Sequence, residues 1–417
     1  MKRALQLGSL STVNMAIGFL FQWYTLTELG PGVKTDALIA GMTIPQLILA
    51  VVSGSLAHVL VPLLVGKNAE QSRHDAWGFL FLIVISFSLL AIILHATAPW
   101  WVPVTVPGFS ANGQALALEL TRIQLIGMVF TAATSVQMAA YHANHHFLWA
   151  QITPIVSGVA CFLLLTWALP RFGVVSAAWI TTLRLGMHCA LLSPSMGKPQ
   201  RPDLTRPAIR IAWRRIRPLL FGTAYYKTDP VIDRFLLSNA TAGSLSIYFL
   251  AQQLYGAATQ IVNASITTPL VPLLSKLHNQ GDRAGFRRVY YQKILLVGAL
   301  GTIGLLALIV VGRTLLAMLV GHGNVSASNV SDLWWIMLWM SGVFIGGTMG
   351  QISSSAFYAR GDTATPTRLG ITSYSILIPI KVVSFYHFGL PGLAITTSAF
   401  YIVNLLLQHI YLNKRYL

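Results

Sequence analysis

The chain has 417 residues, 55% of them hydrophobic and only 9% charged, with a mean hydropathy of +0.65. A soluble protein carries about a quarter charged residues, so a water-soluble enzyme is excluded and the missing charge is surface that faces lipid. The 28 Lys and Arg against 11 Asp and Glu give +17, a sum whose meaning depends on where those charges fall.

An α-helix crosses hydrocarbon with about 20 residues. Twelve apolar stretches of that order lie near 5–29, 36–65, 77–98, 116–141, 147–169, 173–194, 218–238, 244–274, 293–312, 332–358, 369–387 and 391–412. The first is too long for a signal peptide and lacks a small-residue cleavage site, so a retained helix is expected. With both termini inside, twenty of the Lys and Arg fall in cytoplasmic segments and only Lys34, Arg171 and Arg313 outside, as the positive-inside rule requires. The basic excess is therefore mostly topology. No basic face with interleaved aromatics supports nucleic-acid binding. Cys161 and Cys189 lie in apolar runs and suggest neither a disulfide framework nor a metal site. The longest cytoplasmic link, 198–217, alternates arginines with Ile209, Ile211, Ala212 and Ile216. It reads either as an interfacial helix or as a plain charged linker. The expected fold is an all-α polytopic membrane protein of about 12 transmembrane helices in two six-helix lobes, 1–197 and 218–417, joined by that linker.

The two halves echo each other. Val61-Pro62-Leu63-Leu64 returns as Val271-Pro272-Leu273-Leu274, Ala140-Tyr141-His142-Ala143 as Ala356-Phe357-Tyr358-Ala359, and Phe172-Gly173 as Phe388-Gly389. Three matches in one order mark a duplication, and six spans per half place both halves the same way up. Paired bundles around a cavity suit alternating access better than a channel or a membrane enzyme. No Walker A loop, HExxH or GxSxG is present, so no catalytic residue is expected.

Ionised side chains inside a span are costly, and each is a candidate for function. Asp36 begins the second span, where helix capping rivals a gating or ion-coupling role. Glu119 and Arg122, three apart, suit a helix-surface ion pair. His142, His145 and His146 have a metal-like spacing, but no carboxylate or cysteine completes a set and a plain interfacial loop is favoured. Arg184 lies in the sixth span. In the seventh, Lys227 and Arg234 are seven apart and should share a face, with Asp229 and Asp233 roughly opposite and Pro230 among them. Asp229 and Asp233 suit ion coupling; Lys227 and Arg234 suit an anionic headgroup, although internal neutralisation competes for Asp233 and Arg234. Gln252 and Gln253 in the eighth span can bind sugar hydroxyls or bond between helices. Lys381 in the eleventh can snorkel or meet a lipid tail. Trp100-Trp101 and Trp334-Trp335 read as aromatic belt.

Several stretches together resemble the MviN/MurJ family of lipid II flippases in the multidrug/oligosaccharidyl-lipid/polysaccharide (MOP) exporter superfamily. Thr35-Asp36-Ala37 with Pro45, Gly54 and Val61-Pro62 is similar to that family's second helix. Asp233-Arg234, Ala242-Gly243-Ser244-Leu245-Ser246, Leu254-Tyr255 and Pro272-Leu273-Leu274-Ser275 are similar to its seventh and eighth. Ala356-Phe357-Tyr358-Ala359-Arg360-Gly361-Asp362-Thr363-Ala364-Thr365-Pro366 is similar to the exit of its tenth. The resemblance implies a MATE-like pair of lobes around a cavity for a polyprenyl-diphosphate sugar and a part in peptidoglycan and cell-wall synthesis. The chain departs from the family's cavity arginines. Phe21 and Gln22 stand where an Arg-Asp pair is expected, 47–53 has no arginine, and Gln252-Gln253 replace an Asp-Arg pair.

The leading expectation is a flippase, not an enzyme, that moves a lipid-linked glycan to the outer leaflet of the bacterial inner membrane. Lys227, Arg234, Gln252, Gln253 and Arg184 are its substrate-binding candidates, and Asp36, Asp229 and Asp233 its ion-coupling or gating candidates. No cofactor is expected beyond a coupling ion, Na+ or H+. The expected partners are the glycan lipid and membrane lipids, with no nucleic acid, and the expected state is a monomer. An ion-coupled exporter of small organic cations and a transport-inactive scaffold are the alternatives.

Overall fold

A computed structural model describes residues 2–64, 69–144, 146–200, 210–212, 214 and 225–416. Among them there is no strand, and eight helices are long and apolar enough to cross a membrane, one of which, Ala364–Lys414, holds two of the expected spans. The chain is thus an all-α, multi-span membrane protein. It divides into two compact units, Met1–Leu245 and Ser246–Leu417.

The first unit contains α1 (Lys2–Leu29), α2 (Val33–Leu64), α3 (Ala69–Thr105), α4 (Ala111–Ala143), α5 (Phe147–Phe172), α6 (Val174–Leu192) and α7 (Asp229–Leu237). Helix α4 is its centre because its buried face is built of small side chains that let neighbours approach. Ala132, Ala133, Val136, Ala139 and Ala140 are all buried. At Gly41 of α2 a Cβ would stand 3.1 Å from the backbone nitrogen of Thr121, so the two helices cross almost backbone to backbone. Gln124 donates across the same crossing to the Leu38 carbonyl at 3.2 Å. Ser110 caps α4 by accepting from the Gly113 N–H.

The second unit contains α8 (Ser244–Val262, whose first two residues belong to the first unit), α9 (Thr268–Asn279), α10 (Arg283–Val310), α11 (Gly312–Val320), α12 (Ala327–Trp339), α13 (Ser341–Tyr358) and α14 (Ala364–Tyr416). The expected eighth span is two helices joined by a π turn, Asn263–Thr267, just ahead of Pro269, which has no N–H to give to the preceding turn. The expected tenth span is likewise divided, with Met340 between α12 and α13. Helix α11 lies between expected spans and was not foreseen.

The repeat has a structural meaning. In the first unit, Leu64 near the second proline of α2 and Ala140 and Ala143 at the end of α4 belong to one buried cluster with Leu56, Leu60 and Phe79. In the second unit, Leu274 after Pro272 joins Ala356, Phe357 and Ala359 in the corresponding cluster. Each half repeats the residues that close one end of its bundle.

The Phe-Gly pair marks the turn between the fifth and sixth helix of each half. Gly173 has φ 67° and ψ −158°; Gly389, where α14 is broken, has φ 62° and ψ −142°. That region is essentially closed to residues with a Cβ. No neighbour lies within 4 Å of a Cβ at either position, so the cost of substitution is backbone strain alone. Gly173→Ala and Gly389→Ala are each expected to destabilise by about 1–3 kcal/mol, read as a lowered Tm of the purified protein in detergent.

Most of the linker, residues 201–209, 213 and 215–217, lies outside the described residues, as do 218–224 of the seventh span and His145. Residues 210–212 and 214 are helical. Ala212 is buried in the first unit's cluster, whereas Arg210, Ile211 and Arg214 are exposed. Ala212 thus faces the protein, and Ile211 lies on the exposed side with the arginines.

Candidate functional site

Asp36 lies in the first turn of α2 and is 2% exposed. A buried carboxylate needs donors, and this one accepts a 2.7 Å hydrogen bond at Oδ2 from the backbone N–H of Gly243, 207 residues away. Gly243 has φ 93°, and a Cβ there would come within 3.1 Å of the Cβ and carbonyl carbon of Pro31. Only glycine meets both demands. The preceding turn is set by Thr35, whose Oγ1 accepts from the Gly32 N–H and lies 3.0 Å from the Gly30 carbonyl oxygen.

A second contact holds the same segment from another side. The Gly108 N–H donates to Ser238 Oγ at 3.2 Å, and a Cβ on Gly108 would fall 2.6 Å from the Asn239 Cα. Residues 238–243, which lead from α7 into α8, are therefore pinned between the turn at 30–36 and the turn at 106–110. All of these residues belong to the first unit.

The seventh span differs from a continuous helix. Lys227 sits in a short 3-10 turn, Tyr226–Thr228, and α7 begins at Asp229. Pro230 starts this helix instead of interrupting it, since the first turn needs no N–H from it. The expected common setting of Lys227 and Arg234 is not found: Lys227 is exposed, while Arg234 is 6% exposed and donates through Nη1 to the Pro230 carbonyl at 2.9 Å. Asp229 is half-buried and Asp233 is 1% exposed.

Arg184 is half-buried on α6, its guanidinium 4.7 Å above the ring of Phe21 on α1. A cation over an aromatic face is attracted by the ring quadrupole. Phe21, one of the two residues standing where an Arg-Asp pair is expected, thus carries a guanidinium supplied by another helix. Gln252 and Gln253 are half-buried on α8. The neighbouring Tyr255 donates to the Met337 carbonyl at 2.5 Å, tying α8 to α12. Lys381 is 4% exposed and so is held inside the second unit instead of snorkelling. Among the described residues Arg122 makes no ion pair with Glu119; Glu119 is exposed, and Nε of Arg122 is buried. Trp100 is 77% exposed, and Trp335 stacks on Trp339 at 5.9 Å, in keeping with an interfacial belt.

Comparison with known proteins decides the family. A family profile described as lipid II flippase MurJ matches residues 26–417. The chain belongs to the MurJ lipid II flippase family. Among MurJ relatives, a probable lipid II flippase MurJ of Vibrio cholerae serotype O1 is 22% identical over 98% of this chain and 82% of its own length. A lipid II flippase MurJ of Burkholderia cenocepacia is 24% identical over 93% and 78%. A solved lipid II flippase MurJ in an inward closed conformation superposes with a TM-score of 0.83 at 16% identity, covering 98% of this chain and 87% of that one. An inward-facing MATE transporter of the MOP superfamily gives 0.75 at 13% identity over 97% and 94%. The fold is that of MurJ and MATE transporters.

Within this MurJ-family chain, sequence reasoning singled out Asp36 but not Gly243, Ser238 or Gly108. Two turn signals were present, Val106-Pro107-Gly108 and Ala242-Gly243-Ser244. Neither identifies the carboxylate or hydroxyl that the turn meets.

Proposed function

We propose that this protein is an alternating-access flippase that carries a lipid II-like polyprenyl diphosphate sugar from the inner to the outer leaflet of the bacterial cytoplasmic membrane. Two six-helix lobes, 1–197 and 218–417, joined by the basic link 198–217, do this work with both termini in the cytoplasm. The observation that carries the reading is the buried Asp36 carboxylate on the Gly243 N–H. By the placement of Lys and Arg, this bond lies at the outer end. It acts as a latch: it holds the passage shut outside while a headgroup enters from inside, and it breaks when the outer side opens.

A polar headgroup cannot cross hydrocarbon without partners. Lys227, exposed at the break before α7, meets the diphosphate as a point charge. Arg184, presented over Phe21, supplies the second cation, and Arg234 lies buried beyond Lys227 on the same segment. Gln252 and Gln253 meet sugar hydroxyls, and Asp229 and Asp233 take the coupling ion, Na+ or H+. The protein acts as a monomer and without catalysis.

Native mass spectrometry of the purified protein tests the substrate. A co-purifying polyprenyl diphosphate lipid is expected, and Lys227→Gln should weaken its binding about tenfold, the scale of one charge-assisted hydrogen bond. Ordinary phospholipid alone on the wild type would refute the reading. Unchanged glycan-lipid binding in Lys227→Gln, together with lost transport in Asp229→Asn, would favour an ion-coupled exporter.

A further inference from the structure

A polar cavity lies in the first unit, away from Asp36. It has a volume of about 370 Å³ and is lined by Ser72 and Arg73 of α3, Tyr141 of α4, Asn144 and His146 of the following turn, and Met196. Its floor is fixed. Tyr141 donates to the Leu192 carbonyl at 3.1 Å, and the Trp77 indole N–H donates to the Met196 carbonyl at 3.1 Å. Arg73 is placed by Gly197, which has φ 68°; a Cβ there would stand 2.8 Å from Nε and 3.0 Å from Cζ of Arg73. The Arg73 side chain therefore lies against bare backbone, on an otherwise exposed residue.

Two features make this open cavity fit for an anion. Among the described residues no carboxylate or carbonyl engages the Arg73 guanidinium, which carries five N–H donors. The carboxylate of Glu70, one turn earlier, does not line the cavity. Among the described residues the exposed His146 side chain has no hydrogen-bond partner either, and it makes no capping bond to α5. The repeat sharpens the point. In the second half, Asp362 stands 216 residues after His146, and its Oδ1 accepts from the Thr365 N–H at 2.9 Å. At this position the second half has a carboxylate that caps the start of α14. The first half puts a histidine there and sets a free guanidinium beside it.

We propose that this cavity binds a phosphate-bearing anion, gripped by the Arg73 guanidinium with His146, Asn144 and Ser72 around it. By the placement of Lys and Arg the cavity opens at the cytoplasmic interface. Its occupant is either the headgroup phosphate of an anionic lipid or a soluble phosphate. Arginine suits either, because its planar fork can donate two parallel bonds to phosphate oxygens. The volume is in the range of small-molecule sites. The site does not depend on the flippase reading, since its occupancy is a binding property of the first unit.

The test uses the full-length protein in nanodiscs of phosphatidylcholine with or without phosphatidylglycerol, and in detergent with inorganic phosphate. Retained phosphatidylglycerol is counted by native mass spectrometry, and phosphate by calorimetry. Arg73→Gln should weaken binding about tenfold, whereas Arg214→Gln, an exposed cation outside the cavity, should leave it unchanged. Loss confined to phosphatidylglycerol identifies a lipid headgroup; loss of phosphate binding identifies a soluble anion. As a readout free of variant folding, the anion should protect Arg73 of the wild type from phenylglyoxal, seen by peptide mass spectrometry. Equal binding in the two variants, or no protection of Arg73 by either anion, overturns the proposal.

Discussion

Replacing Asp36 by alanine should raise amide exchange across residues 238–245 about tenfold or more and sharply reduce lipid II translocation in reconstituted vesicles. The reasoning runs from the single bond to the population of states. Asp36 is buried and its carboxylate accepts the Gly243 N–H at 2.7 Å. A hydrogen bond to a charged group contributes about 1.5–3 kcal/mol, and removing one partner leaves the other unsatisfied in a buried place. Each 1.4 kcal/mol is about a tenfold change in an equilibrium, so the shut state loses about one to two orders of magnitude in population relative to the open one. On the proposed alternating-access cycle, transport should then fail because the outer side would no longer stay closed while the inner side loads. Asp36→Asn keeps an acceptor and should give a smaller effect of the same sign. Gly108→Ala attacks the same segment from its other side, since its Cβ would meet the backbone of Ser238 and Asn239, and should also speed exchange at 238–245. Unchanged exchange and unchanged translocation in Asp36→Ala would remove the latch from the mechanism.

The spans were legible because membrane insertion is decided by a local property, the apolar length of each segment. The duplication was legible for a related reason. Within the recurring stretches Val61-Pro62-Leu63-Leu64 and Val271-Pro272-Leu273-Leu274, Leu64 and Leu274 close corresponding buried clusters, so the same packing demand falls on both halves. Gly173 and Gly389 recur because a positive φ admits little else.

The site was legible only in part. Asp36 stood out as a carboxylate in a span, but its partner is a backbone amide 207 residues away, and a backbone amide has no sequence signature. Arg184 stood out as an intramembrane cation, yet that it rests over Phe21 depends on how α6 packs against α1. Hydropathy is silent on such packing. Treating Lys227 and Arg234 as one face assumed an unbroken helix, and the start of α7 at Asp229 removes that assumption. Pro230 can break a helix or begin one, and only the surrounding chain path decides which.

Gly346→Leu should abolish recovery of folded protein, the largest structural effect expected in the second unit. Helices in lipid gain little from the hydrophobic effect and associate through close van der Waals packing, which small residues permit. Helix α13 meets the second part of α14 in that way. A Cβ at Gly346 would lie 2.8 Å from the Ile402 nitrogen and 2.8 Å from the Tyr401 carbonyl carbon, and one at Gly342 would lie 2.8 Å from the Ser398 Cβ. The obstacles at Gly346 are backbone atoms, which cannot swing aside as a side-chain tip can. The helices must separate, and Ser398, which donates to the Trp339 carbonyl at 2.5 Å across the same contact, then loses its partner. Overpacking costs about 1–3 kcal/mol even for small insertions, so Gly346→Ala should lower the Tm measurably and leucine should exceed what the fold tolerates. Gly350 is the internal control. It lies one turn further along α13 with nothing within 4 Å of its Cβ position, and alanine is better in a helix than glycine by about 1 kcal/mol. Gly350→Ala should therefore leave the Tm unchanged or raise it, with both variants followed by fluorescence-detected gel filtration after heating. Equal losses at Gly346 and Gly350 would mean that the α13–α14 contact is not the determinant, and that glycine there serves only the helix backbone.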